Sequence, residues 1–153
     1  MSKASFVYVT YIRTTPEKLW QALTEPEFNR QYWSGAHQET DWKKGSPWKL
    51  VFADGRVSDS GEIIDIDPPR RLVIKWRNEF FPDIKADGFT RCSFEIEQVD
   101  DVTKLTITHE AEVDGPHKLI DGVSKGWPLV MSSLKSLLET GQGLPRTNES
   151  PRD

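Results

Sequence analysis

The segment Gly126-Trp127-Pro128-Leu129-Val130-Met131-Ser132-Ser133-Leu134-Lys135-Ser136-Leu137-Leu138-Glu139-Thr140-Gly141 restricts the fold more than any other part of this sequence. Trp127, Val130, Met131, Leu134, Leu137 and Leu138 recur at three- and four-residue steps, which places them on one face of a helix. Lys135, Ser136 and Glu139 fall on the other side, and Gly141 suits a left-handed C-terminal cap. So apolar a face must be buried, and strand-like segments precede it, so the helix is expected to close over a sheet. Its start can be read two ways. Asp114-Gly115-Pro116 could open it, with a bend at Gly126 and Pro128. The preferred reading makes Ser124 the N-cap, with Pro128 in the first turn where a missing N–H costs little. A loose turn or short helix then covers 116–121.

The strand signals are dense. Phe6 to Arg13 is rich in β-branched and aromatic residues. Thr15-Pro16-Glu17 opens a short helix, with Thr15 as N-cap and Leu19, Trp20 and Leu23 on its buried face. Pro26 opens a second short helix that carries Phe28 and Tyr32. Strands are then expected over His37–Trp42, Trp48–Ala53, Val57–Asp67, Leu72–Arg77, Thr90–Val99 and Thr103–Val113. Asp54-Gly55 is a hairpin turn, and Gly61 is expected to mark a bulge or bend. Asn78 to Gly88 reads as a loop whose Phe80 and Phe81 form a partner surface or a lid. The architecture implied is α+β: a curved antiparallel sheet of six to seven strands, two short helices after the first strand, and a long C-terminal helix in the concave face. Residues 1–141 are expected to form one domain, and 142–153 a flexible tail.

Composition bounds the function. With 153 residues, no metal or disulfide is needed to hold a core. A net charge of -4 disfavours nucleic acid and anionic membrane surfaces as partners. Cys92 is the one cysteine, so no intrachain disulfide can form, which fits a reducing compartment. No segment reads as a signal peptide or approaches the ~20 apolar residues of a membrane span. A cytoplasmic protein, monomeric or weakly homodimeric, is expected.

Three stretches taken together resemble a known family. They are Thr15-Pro16-Glu17-Lys18-Leu19-Trp20-Gln21-Ala22-Leu23-Thr24-Glu25-Pro26-Glu27, Gly61-Glu62-Ile63-Ile64-Asp65-Ile66-Asp67-Pro68-Pro69-Arg70-Arg71-Leu72, and Gly126-Trp127-Pro128 with Leu134-Lys135-Ser136-Leu137-Leu138-Glu139-Thr140-Gly141. In this order they resemble the START-like (SRPBCC) superfamily, and within it the homologues of the activator of the heat-shock-protein-90 ATPase. The resemblance spans about residues 6 to 141. It implies a helix-grip fold with a cavity between sheet and helix. Members of the superfamily bind lipids, hormones and polyketides, and a minority are cyclases or dehydratases. The eukaryotic activator carries an additional N-terminal domain that contacts the chaperone. Here the first strand is expected from about Phe6, which leaves no room for that domain. A chaperone partner and a place in the stress response follow from the family name alone.

The chemistry-bearing residues are sparse. His37, His109 and His117 show no metal-ligand spacing with one another, so neither metal nor cofactor is expected. His109 shares strand parity with Leu105 and Ile107 and is expected to face the interior as a neutral, hydrogen-bonded group or as a ligand contact. Glu95, Glu97, Glu110 and Glu112 fall on solvated faces, and no catalytic set is assigned. The expected ligand-binding residues are Trp33, Trp48, Phe52, Trp76, Phe80, Phe94, His109, Trp127, Met131 and Leu134. Six tryptophans in a chain this short either line such a space or fill it. The function expected is binding of an apolar or amphipathic small molecule. A chaperone-associated interaction module and a polyketide cyclase-like enzyme are the alternatives.

Overall fold

Turn chemistry sets the strand order. Gly55 adopts φ +92°, and Phe52 N–H donates to the Arg56 carbonyl at 2.8 Å, closing the expected hairpin. Asp100, at φ +53°, turns the chain between the strand that ends at Val99 and the one that starts at Val102. The computed structural model describes residues 2–145. Its elements are β1 (Lys3–Ile12), α1 (Pro16–Thr24), α2 (Pro26–Tyr32), β2 (His37–Glu39), β3 (Pro47–Val51), β4 (Val57–Asp67), β5 (Arg71–Asn78), α3 (Pro82–Lys85), β6 (Thr90–Val99), β7 (Val102–Asp114) and α4 (Lys118–Thr140). The strands form one seven-stranded sheet in the order β1-β7-β6-β5-β4-β3-β2, antiparallel throughout. This is the helix-grip arrangement, a curved sheet closed by a long C-terminal helix.

The capping expected of α1 is present: Thr15 Oγ1 accepts from Lys18 N–H at 3.2 Å, with Pro16 at the first helical position. Between the short helices and the sheet, Asn29 forms a buried polar joint. Its amide donates to the Ala22 and Leu23 carbonyls, and its Oδ1 accepts from Gln38 N–H at 3.0 Å. Burial pushes the Tyr32 phenol beside it well above its ordinary value.

The inward side chains stack in rows across the sheet. Trp48, Gly61, Trp76, Thr90 and Ala111 are in register from β3 to β7. The next row holds Ile63, Ile74, Cys92, His109 and Phe6. On the other side of the tryptophan row lie Gln38, Leu50, Asp59 and Asn78. Gly61 marks no bulge. It pairs regularly with Trp48 and Trp76, and the register shift falls between Ile63 and Asp65. A Cβ at Gly61 would stand 1.6 Å from the Lys75 carbonyl oxygen, so glycine serves a close backbone approach. The missing side chain also lets the Trp48 and Trp76 rings meet above it.

The final helix differs from the preferred reading. It starts at Lys118 as one continuous element and carries Pro128 in its interior. His117 is its N-cap, accepting from Leu119 N–H through Nδ1 at 3.2 Å. Leu119 and Ile120 before the proline, and Trp127, Val130, Met131, Leu134 and Leu137 around and after it, are all buried. Burial of each such side chain contributes ~1.5–3 kcal/mol, which outweighs a proline penalty of about 3 kcal/mol. The C-terminal cap is as expected: Gly141 lies at φ +88° and donates to the Leu137 carbonyl at 2.9 Å. Residues 142–145 return along α4, with Leu144 N–H donating to Ser133 Oγ at 2.8 Å. The rest of the expected tail, 146–153, lies outside the described residues.

Gly61→Ala is expected to destabilise the protein by roughly 3 kcal/mol, because backbone must move to admit the methyl group. Urea unfolding measures this, and a loss below about 1 kcal/mol would show that β4 and β5 do not need the close approach.

Candidate functional site

The candidate residues converge from six elements of the chain. Trp33 caps α2. Trp48, Trp76, Phe94 and His109 come from β3, β5, β6 and β7, and Trp127, Met131 and Leu134 from α4. Trp76 is the hub: its ring centre lies 4.3 Å from Trp48, 6.5 Å from Trp33, 5.6 Å from Trp127 and 5.4 Å from His109. Phe94 meets Trp127 edge-on at 5.8 Å. Met131 and Leu134 complete the same buried cluster. These rings touch one another. Hollows of about 460 and 450 Å³ lie elsewhere, beside Arg70 and Lys104 on the outer surface and beside Lys3 and Pro116.

Phe52 and Phe80 form a separate pair, edge-on at 5.3 Å, with the Arg56 guanidinium stacked over Phe80. Phe80 and the 42%-exposed Phe81 open the segment 79–89, which contains α3. That short helix was not expected in the loop. Pro82 supplies its first turn, and four residues are too few to show a hydrophobic period. The segment spans from the sheet to the start of α4. At the sheet end Glu79 N–H donates to the Ser58 carbonyl, and Phe81 N–H to Asn78 Oδ1, both at 2.8 Å. At the helix end Asp87 accepts from Lys118 N–H at 2.9 Å, and His117 Nε2 meets the Gly88 carbonyl at 3.2 Å.

His109 is fully buried and both ring nitrogens are engaged. Trp127 Nε1–H donates to Nδ1 at 3.1 Å, so the proton resides on Nε2. Nε2–H donates to Thr90 Oγ1 at 2.7 Å, and the Thr90 hydroxyl donates in turn to the Trp76 carbonyl at 2.8 Å. Burial, with a smaller repulsion from His117, pushes the imidazole down to about 3. A neutral ring with both nitrogens occupied orders the cluster and is not poised to take up a proton. Among the described residues no group of three His, Cys, Asp or Glu side chains could hold a metal.

Sequence reasoning passed over Asp59. It is 4% exposed and sits one row from the tryptophans. Its Oδ2 accepts from Trp76 Nε1 at 2.8 Å and from Asn78 Nδ2 at 3.4 Å, and its Oδ1 from Ser58 Oγ at 2.5 Å. All three donors are uncharged. Burial raises the carboxyl to about 6, although the three hydrogen bonds favour the ionised form. A signal was available: Asp59 shares strand parity with Gly61 and Ile63, which face inward.

The family model described as Activator of Hsp90 ATPase homolog 1-like protein matches residues 13–139. The chain belongs to this family. Its fold is shared with CalU16 from Micromonospora echinospora, at a TM-score of 0.72 and 19% identity, covering 91% of this chain and 78% of that one. It is shared with an HSP90 activator from Plasmodium falciparum, at 0.71 and 23% identity, covering 88% and 96%. The Aha1 dimer from Colwellia psychrerythraea matches at 0.72 and 22% identity, covering 91% and 98%. No curated protein matches the chain.

The two buried groups titrate in opposite senses. Asp59, raised in the fold, stabilises the protein as pH falls from about 6 towards the unfolded value near 4. His109, lowered in the fold, costs stability as pH falls from about 6.5 towards 3. Asp59→Asn is therefore expected to gain about 2–3 kcal/mol on wild type at pH 7.5 relative to pH 4. Urea unfolding at both values tests this, and a difference independent of pH would show that Asp59 is not desolvated.

Proposed function

We propose that this domain binds an apolar or amphipathic small molecule between the sheet and α4, and that the 79–89 segment is its gate. One observation carries the reading. The segment bridges the two walls of the grip, and the bonds that tie its helix end to Lys118 are polar and surface-exposed. Ties of this kind hold about 1 kcal/mol each, far less than the buried rings behind them. The ligand enters as the segment and the Phe52–Phe80 pair swing aside, and it takes the place of ring contacts. Family membership supports a binding role, since the fold serves it widely. A cytoplasmic setting fits the buried, unpaired Cys92.

A second reading is favoured by a different surface. Val7, Val9 and Tyr11 are 57%, 44% and 48% exposed along one face of β1, which is an edge strand. Such an edge suits strand addition by a protein partner, whether a chaperone or a second copy in a weak homodimer.

Native mass spectrometry of the protein purified from its own host is expected to show a bound adduct. Asp87→Ala, which removes the Lys118 ties at the helix end of the segment and leaves the His117–Gly88 bond, is expected to speed ligand exchange several-fold and to raise hydrogen exchange across 79–89. An apo protein whose rate of probe uptake ignores this substitution would count against the gate. For the second reading, Val9→Lys is expected to abolish self-association seen by sedimentation equilibrium or capture by a purified Hsp90-type chaperone.

A further inference from the structure

Asp59 has no use in the fold that an uncharged residue could not serve. Trp76 Nε1, Asn78 Nδ2 and Ser58 Oγ need an acceptor, and an amide or hydroxyl oxygen would supply one. A buried carboxylate answered by neutral donors alone costs stability whenever it is ionised. Its position gives that cost a chemical direction. Through Trp76 it is joined to the face-rich cluster of Trp33, Trp48 and Trp127. Through Asn78 it is joined to the Phe81 N–H, near the sheet end of the gate. A desolvated carboxylate beside an aromatic cluster, with no cation of its own, is the chemistry that receives an organic cation in a dry site.

We propose that the ligand of this domain carries an ammonium group, seated against the Asp59 carboxylate at the gate end of the tryptophan cluster. This rests on the small-molecule reading above and adds the charge of the ligand. On binding, the cation supplies the charged partner that Asp59 lacks. A neutral ligand of the same shape leaves the carboxylate as it was.

Acidification should weaken this recognition, because the protonated carboxyl no longer attracts a cation. The groups facing Asp59 are Leu50 from β3, Trp76 and Asn78 from β5, and Glu79 from the gate. Burial pushes Glu79 up, but hydrogen bonds from Arg77, Lys85 and Ser60 outweigh it and hold the carboxyl below its ordinary value. His109, on the far side of Trp76, is pushed down to about 3. Neither changes charge between pH 5 and pH 7.

The test compares 3-hydroxyphenyltrimethylammonium with 3-tert-butylphenol, which have one shape and differ by one charge, by calorimetric titration. At pH 7 the cation is expected to bind at least tenfold more tightly, and at pH 5 the preference should fall several-fold. Asp59→Asn should abolish the preference at both values. Equal binding of the two probes at pH 7, or a preference that survives Asp59→Asn, overturns the ammonium assignment and leaves the small-molecule reading standing. Binding of neither probe, and of no co-purified adduct, overturns both. The pH series uses the wild-type protein, so a poorly folding variant does not shelter the proposal.

Discussion

Trp76 organises this molecule. Its backbone stands opposite Gly61, where β4 comes so near β5 that no side chain fits. That approach lets the Trp48 and Trp76 rings meet across the strand between them, tilted by 46° with centres 4.3 Å apart. From the same ring, contacts reach Trp33 at the end of α2 and Trp127 on α4. Sheet, short helices and final helix therefore share one side chain. Its polar edge is equally engaged, with the indole N–H on Asp59 and the carbonyl on Thr90.

The polar network is what makes the aromatic packing specific. Hydrocarbon contact has little directionality, but an indole N–H buried without an acceptor costs a full hydrogen bond. Trp48 finds Gln38, Trp76 finds Asp59 and Trp127 finds His109. Each acceptor in turn is positioned by another element, as Gln38 is by the Leu23 carbonyl and His109 by Thr90. Burial sets a desolvation cost on the charged form of both His109 and Asp59. The imidazole escapes it by staying neutral, whereas the carboxylate near neutral pH does not. That asymmetry separates a residue that orders the core from one whose charge no cation answers.

Much of the fold was legible because its signals are local. The Thr15-Pro16 start, the Asp54-Gly55 turn and the Gly141 cap each depend on a few adjacent residues and one backbone conformation. Strand parity placed Leu72, Ile74, Trp76, Cys92, Phe94 and His109 on the inward face, where all are buried. The candidate site was legible only in part, for a related reason. Hydrophobic parity finds rings, but it passes over a carboxylate in the same alternation, so Asp59 went unmarked between serines.

By itself the sequence determined the order of elements, their turns and caps, and which aromatic residues turn inward, because these follow from backbone preference and period. Three matters belonged to tertiary structure alone. Burial of Leu119, Ile120 and Trp127 carries α4 through Pro128, against local preference. Close strand approach, and not a bulge, explains Gly61, since only the partner strand's carbonyl reveals the lack of room. Finally, the inward rings meet instead of lining an open space, because their separation depends on sheet curvature and on where α4 settles. Neither quantity is written in any short stretch of the chain.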